Sequence, residues 1–264
     1  MDKTNKESKD TKDTAVAHVD LGARLLPGDW PGAPDLARAL ELIGWAAAHR
    51  ICTVGVRCRL TAEGELPGYS SERLKHLREG ARTLGHDVTF FTAPVVELRL
   101  VRDSMVGRLR ELALGPHRLL LVELPETRDL KGAARVVRTL TFNGFVPVVV
   151  APERNPEVRR LPELLRYVLQ VGAICCGDAG CAAGLEGHGR AVTARRLWSL
   201  GYYSFFSGFI RGQEQPVAPS DLAAVLGTVP PSWREPQGQS IGLTTRAARL
   251  LGPRPSWSFG GEKT

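Results

Sequence analysis

The chain of 264 residues contains no apolar run approaching the ~18–20 residues that cross a bilayer, so the sequence offers no spanning helix. Its first fourteen residues lack the apolar segment of a secretory signal and instead alternate charge through Lys3, Lys6, Glu7, Lys9, Asp10, Lys12 and Asp13. Cysteine is sparse and odd in number, five in all, which excludes a disulfide-stapled scaffold and fits reduced thiols in the cytoplasm. Lysine is scarce too: seven of the 35 basic residues, four of them within the first twelve positions. Arginine therefore carries the +7 net charge. Codon composition accounts for that skew, and so does anion recognition, since the guanidinium fork matches phosphate and carboxylate geometry. Basic residues alternate with Asp and Glu rather than massing, which argues against nucleic-acid binding.

What is present, 43% hydrophobic and 24% charged residues, can bury a sizeable core. Met1–Thr14 reads as a disordered tail (residues 1–14), followed by one domain over residues 15–251 and a frayed end over 252–264. Short apolar runs alternate with amphipathic stretches, the pattern of a parallel sheet with helical connections. Strands are expected at Ala15–Leu21, Cys52–Val56, Val88–Phe91, Arg118–Glu123, Val146–Ala151, Leu169–Ile174 and Tyr203–Ser207. Asp35 caps a helix whose Leu36, Leu40, Ile43 and Ala47 share one face; Ser71 and Asp129 open two more, and Gly189 leads into a fourth. Asn143-Gly144 and Leu200-Gly201 read as helix stops. Seven βα units in order imply an α/β fold, a closed or nearly closed barrel whose functional loops follow the strands' C-terminal ends. From Gly212 onward Pro and Gly thicken, leaving one short helix at Ile241–Leu251 to pack back onto the barrel.

Four segments carry a family resemblance. They are Asp20-Leu21-Gly22-Ala23-Arg24-Leu25-Leu26-Pro27-Gly28, Val95-Val96-Glu97-Leu98-Arg99-Leu100, Leu120-Leu121-Val122-Glu123-Leu124-Pro125, and Gly144-Phe145-Val146-Pro147-Val148-Val149-Val150-Ala151-Pro152-Glu153-Arg154-Asn155. In order and spacing they resemble D-x-H-x-H-L-L-P-G, G-x-E-I-R-L, L-I-E-x-P and G-x-x-P-V-I-A-H-P-E-R-N of the bacterial capsular-polysaccharide tyrosine phosphatases. These belong to the PHP (polymerase and histidinol phosphatase) superfamily. Leu169-Gln170-Val171-Gly172-Ala173 is similar to the family's V-Q-V-N-A. The resemblance implies a distorted (β/α)7 barrel, a manganese cluster held at its mouth by imidazoles and carboxylates, and a bacterial tyrosine kinase, or its phosphotyrosine tail, as partner in capsule or exopolysaccharide synthesis.

The departures from that pattern fall on the metal ligands. Family histidines fall on Gly22, Arg24, Arg59 and Ala151, and the terminal S-D-x-H falls on Ser207-Gly208-Phe209-Ile210, so Gly208 and Ile210 lose two more donors. Glu97 and Glu123 survive, and so does Arg154, whose family counterpart lies near the phosphate. Arginine carries only donors and a fixed positive charge, so it ligates no metal. The expectation is a pseudophosphatase without a metal cofactor, serving as a regulatory or scaffold subunit beside the kinase; the alternative is a working metal-dependent tyrosine phosphatase with a rebuilt site. Arg24 and Arg59 are expected to pair with Glu97 and Glu123, and Arg154, helped by both, to hold an anion.

The remaining candidates read as ordinary. His18-Val19-Asp20 has ligand-like spacing but sits four residues early, and the other histidines lack such spacing. Cys175-Cys176-Gly177-Asp178-Ala179-Gly180-Cys181 reads as a Gly-rich loop with small buried thiols, since the paired C-x-x-C of a zinc site is absent. A cysteine-nucleophile phosphatase needs Cys-x5-Arg; from Cys52, Arg57 comes one residue too early and Arg59 one too late.

Overall fold

The computed structural model describes residues 17–27, 32–61, 64–67, 70–125, 129–227 and 245–252. Seven strands form one parallel sheet in sequence order: β1 (His18–Ala23), β2 (Ile51–Arg59), β3 (Thr89–Glu97), β4 (Leu119–Glu123), β5 (Val146–Val150), β6 (Ile174–Asp178) and β7 (Tyr203–Ser207). The helices are α1 (Leu36–Ala48), α2 (Ser70–Thr83), α3 (Val106–Leu112), α4 (Leu130–Phe142), α5 (Pro156–Arg160), α6 (Arg166–Leu169), α7 (Ala179–Ala182), α8 (His188–Ser199), α9 (Pro219–Leu226) and α10 (Thr245–Leu251).

Local chemistry sets the boundaries. Asp35 Oδ1 accepts from Arg38 N at 2.8 Å, and α1 then buries Ala39, Leu42, Ile43 and Ala46; of the expected face Leu36, Leu40, Ile43 and Ala47 only Ile43 is buried, Leu36 being exposed. Asp129 Oδ1 accepts from Gly132 N at 2.6 Å, and α4 buries Ala133, Val137 and Leu140. Asn143 caps α4, and Gly144 (φ +82°) supplies the left-handed turn into β5.

The sheet curls until β7 meets β1. Arg24 N donates to Ile210 O at 3.0 Å, and Gly212 N returns a bond to Arg24 O at 2.9 Å. The buried Asp20 carboxylate spans the same seam, accepting from Gly208 N (2.7 Å), Ile210 N (2.9 Å) and Gly22 N (2.9 Å). Burial raises its pKa to about 6 against the lowering effect of those bonds. Asp20 thus closes a nearly complete barrel. At the other end α10 packs on β1 and β7, with Ala247 and Leu251 buried.

Several expectations need correction. The sixth strand lies at Ile174–Asp178, not Leu169–Ile174: Leu169 ends α6, and Gly172 (φ +102°) turns the chain before the strand begins. The supposed Gly-rich loop is therefore strand and helix, with Cys175 and Cys176 in β6 and Cys181 in α7. Strands β2 and β3 run on to Arg59 and Glu97, well past Val56 and Phe91. Helices α3, α5, α6, α7 and α9 were not anticipated; most are one or two turns long, too short for a periodic signal. Residues 1–16, 241–244 and 253–264, which include the expected tails and the start of the last helix, lie outside the described residues.

Candidate functional site at the barrel mouth

The strands' C-terminal ends converge on a buried acidic pair that the motif reading missed. Asp178 ends β6 and caps α7, its Oδ1 accepting from Cys181 N at 3.0 Å. Glu186 stands in the turn before α8. Three guanidinium groups close on both carboxylates. Arg24 Nη2 donates to Asp178 Oδ2 (3.1 Å) and Glu186 Oε1 (3.0 Å). Arg154 Nη2 donates to the same two oxygens, at 2.8 Å on Asp178. Arg211 donates from Nη1 to Asp178 Oδ1 (3.0 Å) and from Nη2 to Glu186 Oε1 (2.6 Å), and also grips Glu214. Arg190 and the Cys181 thiol take Glu186 Oε2, at 2.8 and 3.2 Å.

The electrostatics follow from this packing. Burial would raise the pKa of Glu186, yet the Arg154 charge and the bonds from Arg211 and Cys181 hold it down to about 2. Beside it, burial and then the Asp178 charge lift Glu153 to about 8, so Glu153 is largely protonated at neutral pH. Glu153 Oε1 accepts from Asp178 N at 2.8 Å, and Oε2 accepts from the Tyr203 hydroxyl at 2.8 Å. Burial likewise raises the thiol pKa values of Cys175, Cys176 and Cys181, which favours the protonated thiol in all three.

The expected pairings hold in part. Glu97 and Glu123 stand opposite each other in the β3–β4 register. Arg59 Nη2 donates to Glu123 Oε2 at 2.7 Å, and Arg57, a residue the motifs did not single out, takes Oε1. Glu97 is paired by Arg99 at 2.6 Å. Arg24 bonds neither Glu97 nor Glu123: from the β1 end its side chain reaches across to Asp178 at the end of β6 and to Glu186 in the turn before α8. Alternation could have flagged Arg57, two residues before Arg59 on the same strand face. Glu186, in a turn, gave no such signal.

The positions that resemble lost ligands surround a closed space. Gly22, Ala151 and Gly208 line a cavity of about 10 Å³ together with Arg57, Asp178 and Ser207. A Cβ on Gly22 would stand 2.8 Å from Ser207 Oγ, so even alanine is crowded where the family pattern has histidine. Ala151 takes φ +48°, a left-handed conformation uncommon outside glycine, and its N–H donates to Cys176 O at 2.9 Å. Phe209 and Ile210 are fully buried.

Asp178, Cys181 and Glu186 offer three donor atoms within 4.8 Å of one another, the one such group among the described residues. An ionised carboxylate presents about four lone-pair sites. Asp178 accepts four hydrogen bonds and Glu186 five. A divalent ion held by this group would have to displace guanidinium groups from both carboxylates.

Comparison with known proteins bears on what this arrangement descends from. No family model matches the chain. A tyrosine-protein phosphatase, YwqE of Bacillus subtilis, is 26% identical over 186 residues, spanning 68% of this chain and 71% of that protein. The chain is homologous to the PHP-type tyrosine phosphatases. Crystal structures of YwqE and of CpsB from Streptococcus pneumoniae, described as metal-dependent tyrosine phosphatases, supply the matching fold. The alignment has a TM-score of 0.73 at 21% identity and covers 88% of this chain and 94% of the other. An organophosphorus hydrolase from Deinococcus radiodurans aligns at a TM-score of 0.45 and 17% identity, over 89% of this chain and 91% of its own, too distant to carry an argument.

Proposed function

We propose that this chain is a PHP-type pseudophosphatase that acts in the cytoplasm with a bacterial tyrosine kinase of capsule or exopolysaccharide synthesis, engaging phosphotyrosine without hydrolysing it. The observation that carries the reading is the pairing of Asp178 and Glu186 with Arg24, Arg154 and Arg211 at the mouth. Three of the positions resembling lost ligands line a cavity of about 10 Å³, about the room of one water, which supports this reading. The acids beside it are satisfied by Arg24, Arg154 and Arg211.

In this reading a hydrolytic step has no activated water, because nothing lowers a water pKa as a bound cation would. Anion recognition falls to Arg154 and Arg59, 27% and 64% exposed, whereas Arg24 at 7% is committed to the interior. Arg154 Nε is buried with no hydrogen-bond partner among the described residues, an unsatisfied donor next to the mouth. A guanidinium fork holds phosphate bidentately without help from a metal.

A second reading is favoured by the homology to YwqE and by the Asp178–Cys181–Glu186 group: a metal-dependent phosphatase in which the arginines part to admit an ion. Metal analysis and a phosphotyrosine assay in excess manganese separate the two. The pseudophosphatase reading expects substoichiometric metal and no turnover, with phosphotyrosine peptide binding weakened in Arg154→Ala. Manganese-stimulated hydrolysis, abolished by Glu97→Ala with Glu123→Ala or by Glu186→Gln, would establish the second. Absence of both turnover and peptide binding would leave the mouth as scaffold.

A further inference from the structure

We propose that the opposite, N-terminal face of the barrel docks on an anionic lipid surface. Every helix-to-strand turn of a parallel barrel emerges on this face, so topology alone gathers the turns before β2, β3, β4 and β5 onto one end. Three independent features coincide there.

The first is apolar. The two most exposed large hydrophobic side chains among the described residues are Phe142, 92% exposed, and Leu84, 54% exposed. Phe142 is the last residue of α4 and Leu84 follows α2, so both stand at this end of the molecule. Scattered apolar side chains are ordinary on a protein surface, but a nearly naked phenyl ring sharing a face with cations is the composition of a membrane-surface contact.

The second is a groove of about 470 Å³ beside Leu84, with Arg78, Arg82 and His86 on its walls and Val88 and Phe90 among its apolar lining. Arg78 Nη2 donates to Phe90 O at 3.0 Å, which fixes that guanidinium against the groove. Asp87 and Thr89 also line it, so the groove is mixed in polarity, with Arg78 and Arg82 outnumbering its one carboxylate, and it suits the phosphate of a lipid headgroup.

The third is the setting of two further arginines. Arg50 and Arg118 immediately precede β2 and β4 in left-handed conformations, φ +60° and +51°. Arg118 Nη1 would lie 3.5 Å from a Cβ on Gly144, so its charge stands beside the turn that follows Phe142. Three carboxylates stand among these cations: Asp87 in the turn before β3, and Glu79 and Glu111 near the ends of α2 and α3. Helix α10 passes under the barrel, Leu251 O standing 2.7 Å from the Cβ position of Gly115, and so closes its base.

The apolar tips stand on turns that flank the His117-Arg118 turn, so cations and hydrophobes alternate across the end of the barrel instead of forming one apolar cleft. That layout suits a flat charged layer, in which guanidinium groups meet anionic headgroups while Phe142 and Leu84 enter the acyl boundary. No described helix is long and apolar enough to cross a membrane, so the contact is peripheral.

Cosedimentation of the full chain with vesicles tests the proposal, using phosphatidylglycerol in phosphatidylcholine against pure phosphatidylcholine. Binding is expected only with the anionic lipid and should weaken steeply with salt. Phe142→Ser with Leu84→Ser, and separately Arg50→Glu with Arg118→Glu, should each lower the partition coefficient at least tenfold, with unchanged circular dichroism. Arg160→Glu, the same charge reversal at the other end of the barrel, should leave it unchanged. Equal binding to neutral vesicles, indifference to both double variants, or no vesicle binding alongside tight binding of a polyglutamate peptide would overturn it.

Discussion

The two ends of the barrel use arginine in opposite ways. At the mouth, Arg24 and Arg211 are buried and Arg154 is 27% exposed, and all three pair with Asp178 and Glu186. At the N-terminal face, Arg50, Arg82 and Arg118 stand in solvent and form no salt bridge among the described residues. The same side chain therefore carries structure at one end and surface potential at the other. The difference is desolvation: removing one partner of a buried pair strands a charge, whereas water screens an exposed one.

The sharpest way to break that contrast is to truncate one arginine from each end. Arg211 has a fully buried side chain and three carboxylate partners. Arg211→Ala should cost about 3–5 kcal/mol, lowering Tm by roughly 6–20 °C for a domain of this size. Arg50→Ala should stay within about 0.5 kcal/mol. Comparable losses in thermal or urea unfolding would refute the division of labour.

A subtler variant probes the seat of Arg211. A Cβ on Gly180 would stand 1.8 Å from Arg211 Nη1 and 2.2 Å from its Cζ. Gly180→Ala should therefore displace the guanidinium and cost about 1–3 kcal/mol through overpacking. On the exposed face a Cβ at Gly85 meets nothing within 4 Å, so any cost of Gly85→Ala comes from its φ of +74° alone. A stable Gly180→Ala protein with unchanged unfolding would mean that the arginine cluster is not held as described.

Much of the barrel was legible because its signals are local. Asp35 and Asp129 caps, the Gly144 stop and the apolar runs of β4, β5 and β7 each sit within a few residues of what they determine. β6 lies beyond its expected span because Leu169 and Val171 carry a strand-like pattern but end a helix and its turn, while the strand itself reads Ile-Cys-Cys-Gly-Asp. At the site, motif order located Glu97, Glu123 and Arg154, but pairing between residues 154 and 162 positions apart, as for Arg24 with Asp178 and Glu186, leaves no periodic trace. Glu186 is visible only once the chain is folded.

Acid–base titration separates the ends again, since the strongly shifted carboxyls lie at the mouth and the closing seam. Glu186, held at about 2 against an ordinary 4.5, contributes stability above pH 4.5 that is lost as pH falls toward 2. Glu153 runs the other way: its folded value of about 8 means the native state keeps a proton that the unfolded chain has released, so stability falls as pH rises from 4.5 to 8. Asp20 adds to that decline between 3.8 and about 6. The slope for one proton is about 1.4 kcal/mol per pH unit, spread over the rounded ends of each titration. Urea unfolding across pH 3–8 should show greatest stability near the crossover of these trends, and Glu153→Gln should flatten the limb between pH 6 and 8. An unchanged limb would remove Glu153 from the account.

The smallest expected effect belongs to Phe142. Its ring is 92% exposed, so folding removes almost none of it from water and burial energy near 25 cal/mol/Å² has nothing to act on. Phe142→Ala should change stability by no more than about 0.5 kcal/mol, and the gain in helix propensity at the end of α4 makes a slight increase the expected sign. Phe145, three residues later and 2% exposed, is the internal standard: Phe145→Ala should cost about 3–5 kcal/mol. If Phe142→Ala instead cost more than about 1 kcal/mol, and the loss grew with protein concentration, a second copy of the chain would be covering the ring. The N-terminal face would then be a subunit interface and not a surface open to lipid.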